Sequence, residues 1–156
     1  MGILVDTIFK DYVYKNEQHK TLVGILFVAA SIEAKMEKIL NTYGITLRQF
    51  RLLRQLRFMN PESLAVHDIN FYMINKMADA SRLAERMAKA GLIEKHISPT
   101  DKRRSFVKIT PKGLDLINDI DKEEDKFLRA VSAIGKDATP IFNEYLEQML
   151  ADLKKK

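Results

Sequence analysis

Residues 76–113 decide the fold of this chain, and they read KMADASRLAERMAKAGLIEKHISPTDKRRSFVKITPKG. In the first part, apolar residues recur at steps of three and four, namely Met77, Ala80, Leu83, Ala84 and Met87. The opposite side carries polar residues, namely Arg82, Glu85, Arg86 and Lys89. This spacing predicts a helix that packs on one side and faces solvent on the other.

A β-hairpin is predicted directly after this helix. Gly91 follows the last periodic residue, where a left-handed residue commonly ends a helix. Two partly apolar strands then begin, one with Leu92, Ile93 and Ile97 and the other with Phe106, Val107 and Ile109. The tip between them, SPTDKRR at 98–104, carries three consecutive cations. This order predicts a winged helix-turn-helix, in which the helix enters a major groove of DNA and the tip reaches the adjacent minor groove.

The positive charge of the chain is concentrated in this stretch. Between Lys76 and Gly113, ten Lys or Arg stand against four Asp or Glu, a local net charge of +6. The whole chain carries +5, so the remaining residues sum to −1. A localised basic patch is the expected footprint for a polyanion such as DNA.

The same stretch resembles the MarR-type transcriptional regulators. The resemblance lies in SRLAERMAKAGLIEK at 81–95, in the D-x-R pattern of Asp101 and Arg103, in the IT-x-x-G pattern at 109–113, and in the preceding LRQFRLLRQL at 47–56. It implies a mainly α fold with a small β-hairpin wing. It also implies a homodimeric, sequence-specific DNA-binding regulator, most often a repressor, whose affinity for a pseudo-palindromic operator changes with an effector. The segment VHDINFYMIN at 66–75 departs from the usual family pattern, so the start of the recognition helix is left open, with Asn75 as one candidate cap.

The rest of the sequence predicts that residues 1–156 form one MarR-like chain. Long helices precede and follow its winged helix-turn-helix unit, which we call the reading unit. A helical pattern runs from Glu17 to Thr42, and two more helices are expected, one from Thr110-Pro111 to Gly135 and one from Thr139-Pro140 onwards. These helices carry more apolar surface than residues 45–110, the winged helix-turn-helix unit, could cover. Residues 1–44 and 111–156 are therefore interpreted as a dimerisation layer, with an intramolecular bundle as the alternative.

Thr46 is expected to cap a helix that buries Leu47, Phe50, Leu53 and Leu56. Every third residue of this helix is an arginine, namely Arg48, Arg51, Arg54 and Arg57. These arginines either form a solvated cationic face, or one or two of them contact DNA phosphates. The segment Ala65–Tyr72 is predicted as the next short helix, the first arm of the helix-turn-helix, with Ile69 pointing inward.

The DNA-binding residues are predicted on two elements. The recognition helix offers Ala78, Ser81, Arg82, Arg86 and Lys89, and the wing offers Asp101, Lys102, Arg103 and Arg104. Arg82 is the candidate for a base contact, because arginine can donate two hydrogen bonds to guanine. A phosphate contact, or an ion pair with Glu85 or Asp79, is the alternative for Arg82. Asp101 is expected to pair with Arg103 and orient it for the minor groove.

Effector binding has only weak candidates, Tyr43, Phe50 and Phe58, for which core packing is the competing interpretation. In the resembling family, small aromatic effectors bind where the dimer layer meets the reading unit. His19, His67 and His96 are scattered, and His67 and Asp68 are expected to point apart on a helix, so no metal is predicted.

Several function classes are excluded by what the sequence lacks. Cysteine is absent, and neither a phosphate-binding glycine loop nor a nucleophile elbow is present, so no enzyme activity and no cofactor are predicted. The longest apolar run, 22–30, is nine residues, far short of the roughly 20 that span a bilayer, and a cytoplasmic protein is expected. The alternative function is a winged helix used for protein–protein interaction without specific DNA binding.

Overall fold

The computed structural model describes residues 13–69, 80–98 and 100–155. Within these residues lie six helices and three strands: α1 Glu17–Thr42, α2 Leu47–Met59, β1 Leu64–Ala65, α3 Ala80–Lys89, β2 Ile93–Ile97, β3 Ser105–Ile109, α4 Pro111–Asp121, α5 Glu124–Leu128 and α6 Ala138–Lys154. The chain divides into two compact units, Met1–Asp121 and Lys122–Lys156. The predicted fold class, mainly α with a small sheet, is confirmed. Among the described residues, no helix is both long and apolar enough to cross a membrane.

Helix α1 has the bounds that the sequence predicts. The side chain of Asn16 accepts a hydrogen bond from the backbone N–H of His19 at 2.8 Å, which caps the first turn. The helix ends before Gly44, whose φ of 71° lies in the left-handed region that glycine adopts without steric cost.

Helix α2 begins with a reciprocal capping box. The hydroxyl of Thr46 accepts from the backbone N–H of Gln49, and the side-chain oxygen of Gln49 accepts from the backbone N–H of Thr46. The helix buries its apolar side, which comprises Leu47, Phe50, Leu52, Leu53 and Leu56. The predicted cap and the predicted inward residues are confirmed.

The prediction of a helix starting at Ala65 is wrong. Leu64 and Ala65 form strand β1, which pairs antiparallel with β3 through Leu64↔Val107 and Ala65↔Phe106. A 3-10 turn, Val66–Asp68, follows, and Ile69 is fully buried as expected. The strand arises because the extended residues after Pro61 complete the hydrogen bonds of β3, a partner distant in sequence. The rest of the predicted helix, with the candidate cap Asn75, lies outside the described residues.

The hairpin predicted after α3 is confirmed. Gly91 has a φ of 72° and ends the helix, and β2 then pairs antiparallel with β3, from Ile93↔Ile109 to Ile97↔Ser105. The sheet order is β1-β3-β2. The inner side of α3 and the strands share one core, which includes Leu83, Ala84, Met87, Ile93, Val107 and Ile109.

Helix α4 is anchored at its start against the end of α3. The hydroxyl of Thr110 accepts from the N–H of Gly113 at 3.1 Å and donates to the carbonyl of Gly91 at 2.7 Å, so the predicted cap is confirmed. Lys112 donates to the carbonyl of Ala90 at 2.8 Å. Ile117 and Ile120 are fully buried.

The single helix predicted from Thr110-Pro111 to Gly135 is broken. Helix α4 ends at Asp121, α5 covers only Glu124–Leu128, and a 3-10 turn, Ser132–Ile134, precedes Gly135. The physical reason is the acidic run between residues 119 and 125. Acids in the last turn of a helix oppose its dipole, whereas Glu124 and Asp125 are favourable in the first turn of a new helix.

The predicted cap at Thr139 is also wrong. Helix α6 begins at Ala138, and the hydroxyl of Thr139 donates to the carbonyl of Gly135 at 2.7 Å. Pro140 then occupies the third helical position, where its missing N–H is still not required by the helix.

Candidate nucleic-acid interface

The outer side of α3 presents the predicted recognition residues to solvent. Ser81, Arg82, Arg86 and Lys89 are exposed, whereas Leu83, Ala84 and Met87 between them are buried. Packing of these buried residues fixes the rotation of α3 about its axis, and its cationic side chains therefore face solvent. Ala78 and Asp79 lie outside the described residues.

One acid on the outer side of α3 is engaged by the wing. The carboxylate of Glu85 lies 3.5 Å from Nζ of Lys95, which belongs to β2. This contact joins the helix to the first strand of the hairpin. The ammonium group of Lys95 also partly neutralises the negative charge of Glu85, which stands next to Arg82 and Arg86.

The tip of the wing is organised by hydrogen bonds to its own backbone. Ser98 is buried, and its hydroxyl accepts from the N–H groups of Thr100 and Asp101, both at 3.3 Å. The N–H of Ser98 donates to the carbonyl of Arg104 at 2.9 Å, and the N–H of Arg104 donates to the carbonyl of Asp101 at 2.9 Å. These bonds close the tip into a turn, and the side chains of 101–104 are exposed.

Asp101 shapes the wing through the backbone. Its carboxylate accepts from the backbone N–H of Arg103 at 2.9 Å. Within the described wing it forms no ion pair with the guanidinium of Arg103, so the expected side-chain pairing is replaced by an Asx-type turn. An aspartate therefore suits this position because its short side chain reaches the backbone two residues on.

An aromatic and cationic stack covers the outer side of the wing. The guanidinium carbon of Arg104 lies 5.6 Å from the ring centroid of Phe106. The rings of Phe106 and His96, which are directly opposed in the β2–β3 register, are stacked at 5.6 Å with an interplanar angle of 14°. This stack was not predicted from the sequence, although Arg104 directly precedes β3 and is two positions from Phe106, so that both side chains fall on one side of the extended chain.

The arginines on α2 do not form the uniform cationic face that was one interpretation of their spacing. Arg51 pairs with Glu33 at 2.6 Å, and Arg57 pairs with Asp121. Arg54 lies over the ring of Phe50 at 5.7 Å. Arg48 is exposed near α3. The partners of Arg51 and Arg57 are distant in sequence, which explains why spacing alone could not assign them.

The three effector candidates have different surroundings. Phe50 is buried at 3% exposure and Phe58 is 86% exposed, and both line a cavity of about 410 Å³. The other lining residues come from α1 and α2: Met36, Leu47, Arg51, Arg54 and Gln55. Tyr43 is not among them, and its hydroxyl donates to the carbonyl of Asp119 at 3.4 Å. The structure thus brings Phe50 and Phe58 together and leaves Tyr43 apart.

Potential metal ligands are not clustered in the described part of the chain. No group of three or more His, Asp or Glu side chains could hold an ion there. The expectation that His67 and Asp68 point apart is wrong, because Nε2 of His67 lies 3.1 Å from Oδ1 of Asp68. The two residues belong to a 3-10 turn, in which neighbouring side chains approach more closely than the predicted helix would allow.

Comparisons with known proteins agree on one class. Residues 43–104 match the sequence model of the MarR family. YsmB, an uncharacterized HTH-type transcriptional regulator of Bacillus subtilis (strain 168), is 26% identical over 130 residues, which are 83% of this chain and 88% of YsmB.

Two solved structures show the same fold. AbsC, a MarR family transcriptional regulator from Streptomyces coelicolor, has a TM-score of 0.77 at 19% identity, over 93% of this chain and 99% of AbsC. The complex of MepR from S. aureus with DNA has a TM-score of 0.73 at 20% identity, over 82% of this chain and 94% of MepR.

Fold and sequence together define a transcriptional regulator of the winged helix-turn-helix class. Within that class, residues 43–104 match the MarR family model, so the resemblance seen in the sequence is confirmed. Members of this family are transcriptional regulators and not enzymes.

Proposed function

We propose that this MarR-family regulator is a homodimeric repressor that binds a pseudo-palindromic operator. In each subunit, α3 enters the major groove through Ser81, Arg82, Arg86 and Lys89, and the wing reaches the minor groove through Arg103, with Lys102 and Arg104 on the phosphates. Ala78, which lies outside the described residues, stays a predicted DNA-binding residue. The MepR relative was solved in complex with DNA, which supports the choice of partner. A DNA-bound regulator works in the cytoplasm, and we place the protein there.

The observation that carries the proposal is the orientation of the cations. Leu83, Ala84 and Met87 hold one side of α3 in the core, so its charged side must face out of the same unit as the wing. The wing tip is closed by its own backbone bonds, and its four charged side chains at 101–104 are exposed. Binding to adjacent grooves of a duplex requires two cationic elements in fixed positions within one unit, and α3 and the wing are two such elements.

A second copy of the chain is proposed as the partner of the terminal helices. Helix α6 exposes a continuous apolar side, of which Ile141, Tyr145, Leu150 and Leu153 are between 55% and 81% exposed. Leu22 and Leu26 in the first half of α1 are 53% and 62% exposed. Apolar surface of this extent is normally covered, and a two-fold dimer would place two recognition helices about 34 Å apart. Residues 1–44 and 111–156 would then form the dimerisation layer and 45–110 the reading unit.

The effector proposed for this regulator is a small aromatic compound. The cavity beside Phe50 and Phe58 offers two ring surfaces, and Arg54 adds a cationic group at its wall, whereas the charge of Arg51 is paired with Glu33. A planar ring with an anionic substituent matches this lining. The cavity is built from α1 and α2, the elements that join the proposed dimer layer to the reading unit. A bound ring there could change the spacing of the two reading units.

The decisive experiment is the salt dependence of binding to a DNA duplex from the region upstream of the gene. Each phosphate contact should lower log K by about 0.9 per unit of log salt, so several contacts predict a steep slope. Arg103→Ala should weaken operator binding while the dimer stays intact, and unchanged binding would contradict the minor-groove role. A flat salt response would instead favour the alternative, a winged helix that binds proteins.

A role for Arg82 in reading bases is tested separately. Arg82→Ala should lower the preference for the operator over a scrambled duplex by about 5- to 150-fold, because an arginine on guanine is worth about 1 to 3 kcal/mol. An equal loss on both duplexes would assign Arg82 to the backbone instead.

A further inference from the structure

The exposed arginine at the start of α2 differs from the other three on that helix. Arg51 and Arg57 are held by carboxylates, and Arg54 lies over an aromatic ring. Within the described residues, Arg48 forms no ion pair and no hydrogen bond through its side chain. Its charge is therefore not neutralised by the described part of the chain.

Arg48 shares a cleft with a residue of the proposed recognition helix. The cleft has a volume of about 490 Å³ and is lined by both Arg48 and Arg86, with Glu37, Thr46, Gln49 and Leu83. Arg86 lies on the exposed side of α3, and it too forms no ion pair within the described residues. The cleft thus connects the start of α2 to the surface that is proposed to face DNA.

The two guanidinium groups are the hydrogen-bond donors of the cleft that can bind a ligand, because its other polar side chains are already bonded or are acceptors. Thr46 and Gln49 are already bonded to each other in the capping box of α2. Leu83 is buried and fixes the position of α3 beside the cleft. Glu37 is the one carboxylate in the lining, so the cleft has a net charge of +1.

Two unpaired guanidinium groups on one cleft repel each other, and an anion between them removes that repulsion. A phosphate suits this arrangement, because each guanidinium can donate two parallel hydrogen bonds to its oxygens. A phosphate of the DNA backbone is the favoured source, since Arg86 belongs to the same exposed side as Ser81, Arg82 and Lys89.

We propose that Arg48 and Arg86 together hold one phosphate of the DNA backbone beside the groove that α3 enters. This inference rests on the proposed function and extends the DNA-binding surface to α2. The contact contributes affinity that does not depend on base sequence, and it fixes the position of the reading unit along the duplex.

The test compares Arg48→Gln, Arg86→Gln and the double variant on the operator and on a scrambled duplex, from about 50 to 200 mM salt. The charge-matched control is Lys35→Gln on α1, which is exposed and lies about 200° around that helix from Glu37. Circular dichroism and size-exclusion chromatography establish that each variant keeps its fold and its oligomeric state.

Arg48→Gln should weaken binding to both duplexes about two- to fivefold and lower the salt slope by about 0.9, the value for one phosphate. The double variant should lower the slope by the same amount as either single variant, because the two arginines share one phosphate. Lys35→Gln should leave the slope unchanged.

The inference is overturned, with the proposed function intact, if wild type shows a steep slope that Arg48→Gln does not change. It is also overturned if Lys35→Gln lowers the salt slope as much as Arg48→Gln does, or if the double variant lowers the slope by twice the value for one phosphate. A flat slope for wild type removes the proposed function and this inference together.

Discussion

Gly113 is the position at which a single methyl group should damage the fold most clearly. It is the third residue of α4, where the helix begins against the end of α3. A Cβ added there would lie 2.3 Å from the carbonyl oxygen of Leu92 and 2.9 Å from Cγ1 of Ile109. Real Cβ atoms do not approach oxygen so closely, and the atom that must move is backbone and not a flexible side chain.

The expected cost of Gly113→Ala has two parts. Forcing extra volume into a packed site costs about 1 to 3 kcal/mol. The carbonyl of Leu92 also accepts from the N–H of Thr110 at 3.2 Å. Displacing that carbonyl weakens a bond worth about 1 kcal/mol. The free energy of unfolding should therefore fall by about 2 to 4 kcal/mol, and about 3 kcal/mol corresponds to a loss of roughly 6 to 12 °C in Tm for a chain of this size.

The assay is urea unfolding followed by circular dichroism, at one protein concentration for all variants, since dimerisation would make stability depend on concentration. The control is Gly44→Ala, because Gly44 has a φ of 71° but no atom within 4 Å of the added Cβ. It should lose only the cost of the left-handed conformation, about 1 to 2 kcal/mol. A Gly113→Ala protein within about 0.5 kcal/mol of wild type would refute the reasoning from close approach.

Three further predictions concern a cap, the wing stack and the proposed dimer. Thr110→Ala removes the cap of α4 and the bond to Gly91, and should cost about 1 to 2 kcal/mol in urea unfolding, so an unchanged midpoint would contradict the anchoring role. Phe106→Leu removes the ring beneath Arg104 and should weaken DNA binding about two- to fivefold, and equal affinity would show that the stack does not position this cation. Leu153→Glu places a charge on the apolar side of α6 and should weaken the dimer at least about tenfold, measured by analytical ultracentrifugation. The control, Gln148→Glu on the polar side of α6, should leave the dimer affinity unchanged. Equal effects of the two substitutions would argue against this interface.

Local signals were sufficient to predict much of the fold. Asn16, Thr46 and Thr110 act as caps because their side chains bond to residues only three positions away. Strand β1 could not be predicted in this way, since Leu64 pairs with Val107 at the other end of the reading unit. The break after Asp121 had a local cause in its acidic run, but apolar periodicity continued through it and favoured one helix.

The site was predictable where exposure follows from periodicity. The alternation of buried and charged residues on α3 assigned Ser81, Arg82, Arg86 and Lys89 to the outer side, and they are exposed. Contacts between elements were not predictable, and they change the roles of individual cations. Glu33 engages Arg51, and Glu85 engages Lys95, through distances that only the folded chain defines. The base and phosphate contacts themselves remain predictions.

The contacts around the end of α3 limit how an effector could change DNA binding. Lys112 and Thr110 donate to the carbonyls of Ala90 and Gly91, and Lys95 on the wing contacts Glu85 on the helix. The helix, the wing and the start of α4 are therefore joined at three points, and they share one buried core. Changing the angle between helix and wing would break several of these bonds at once, whereas moving the whole reading unit would break none of them. Within the proposed function, we thus expect an effector to act on the distance between two intact reading units in the dimer.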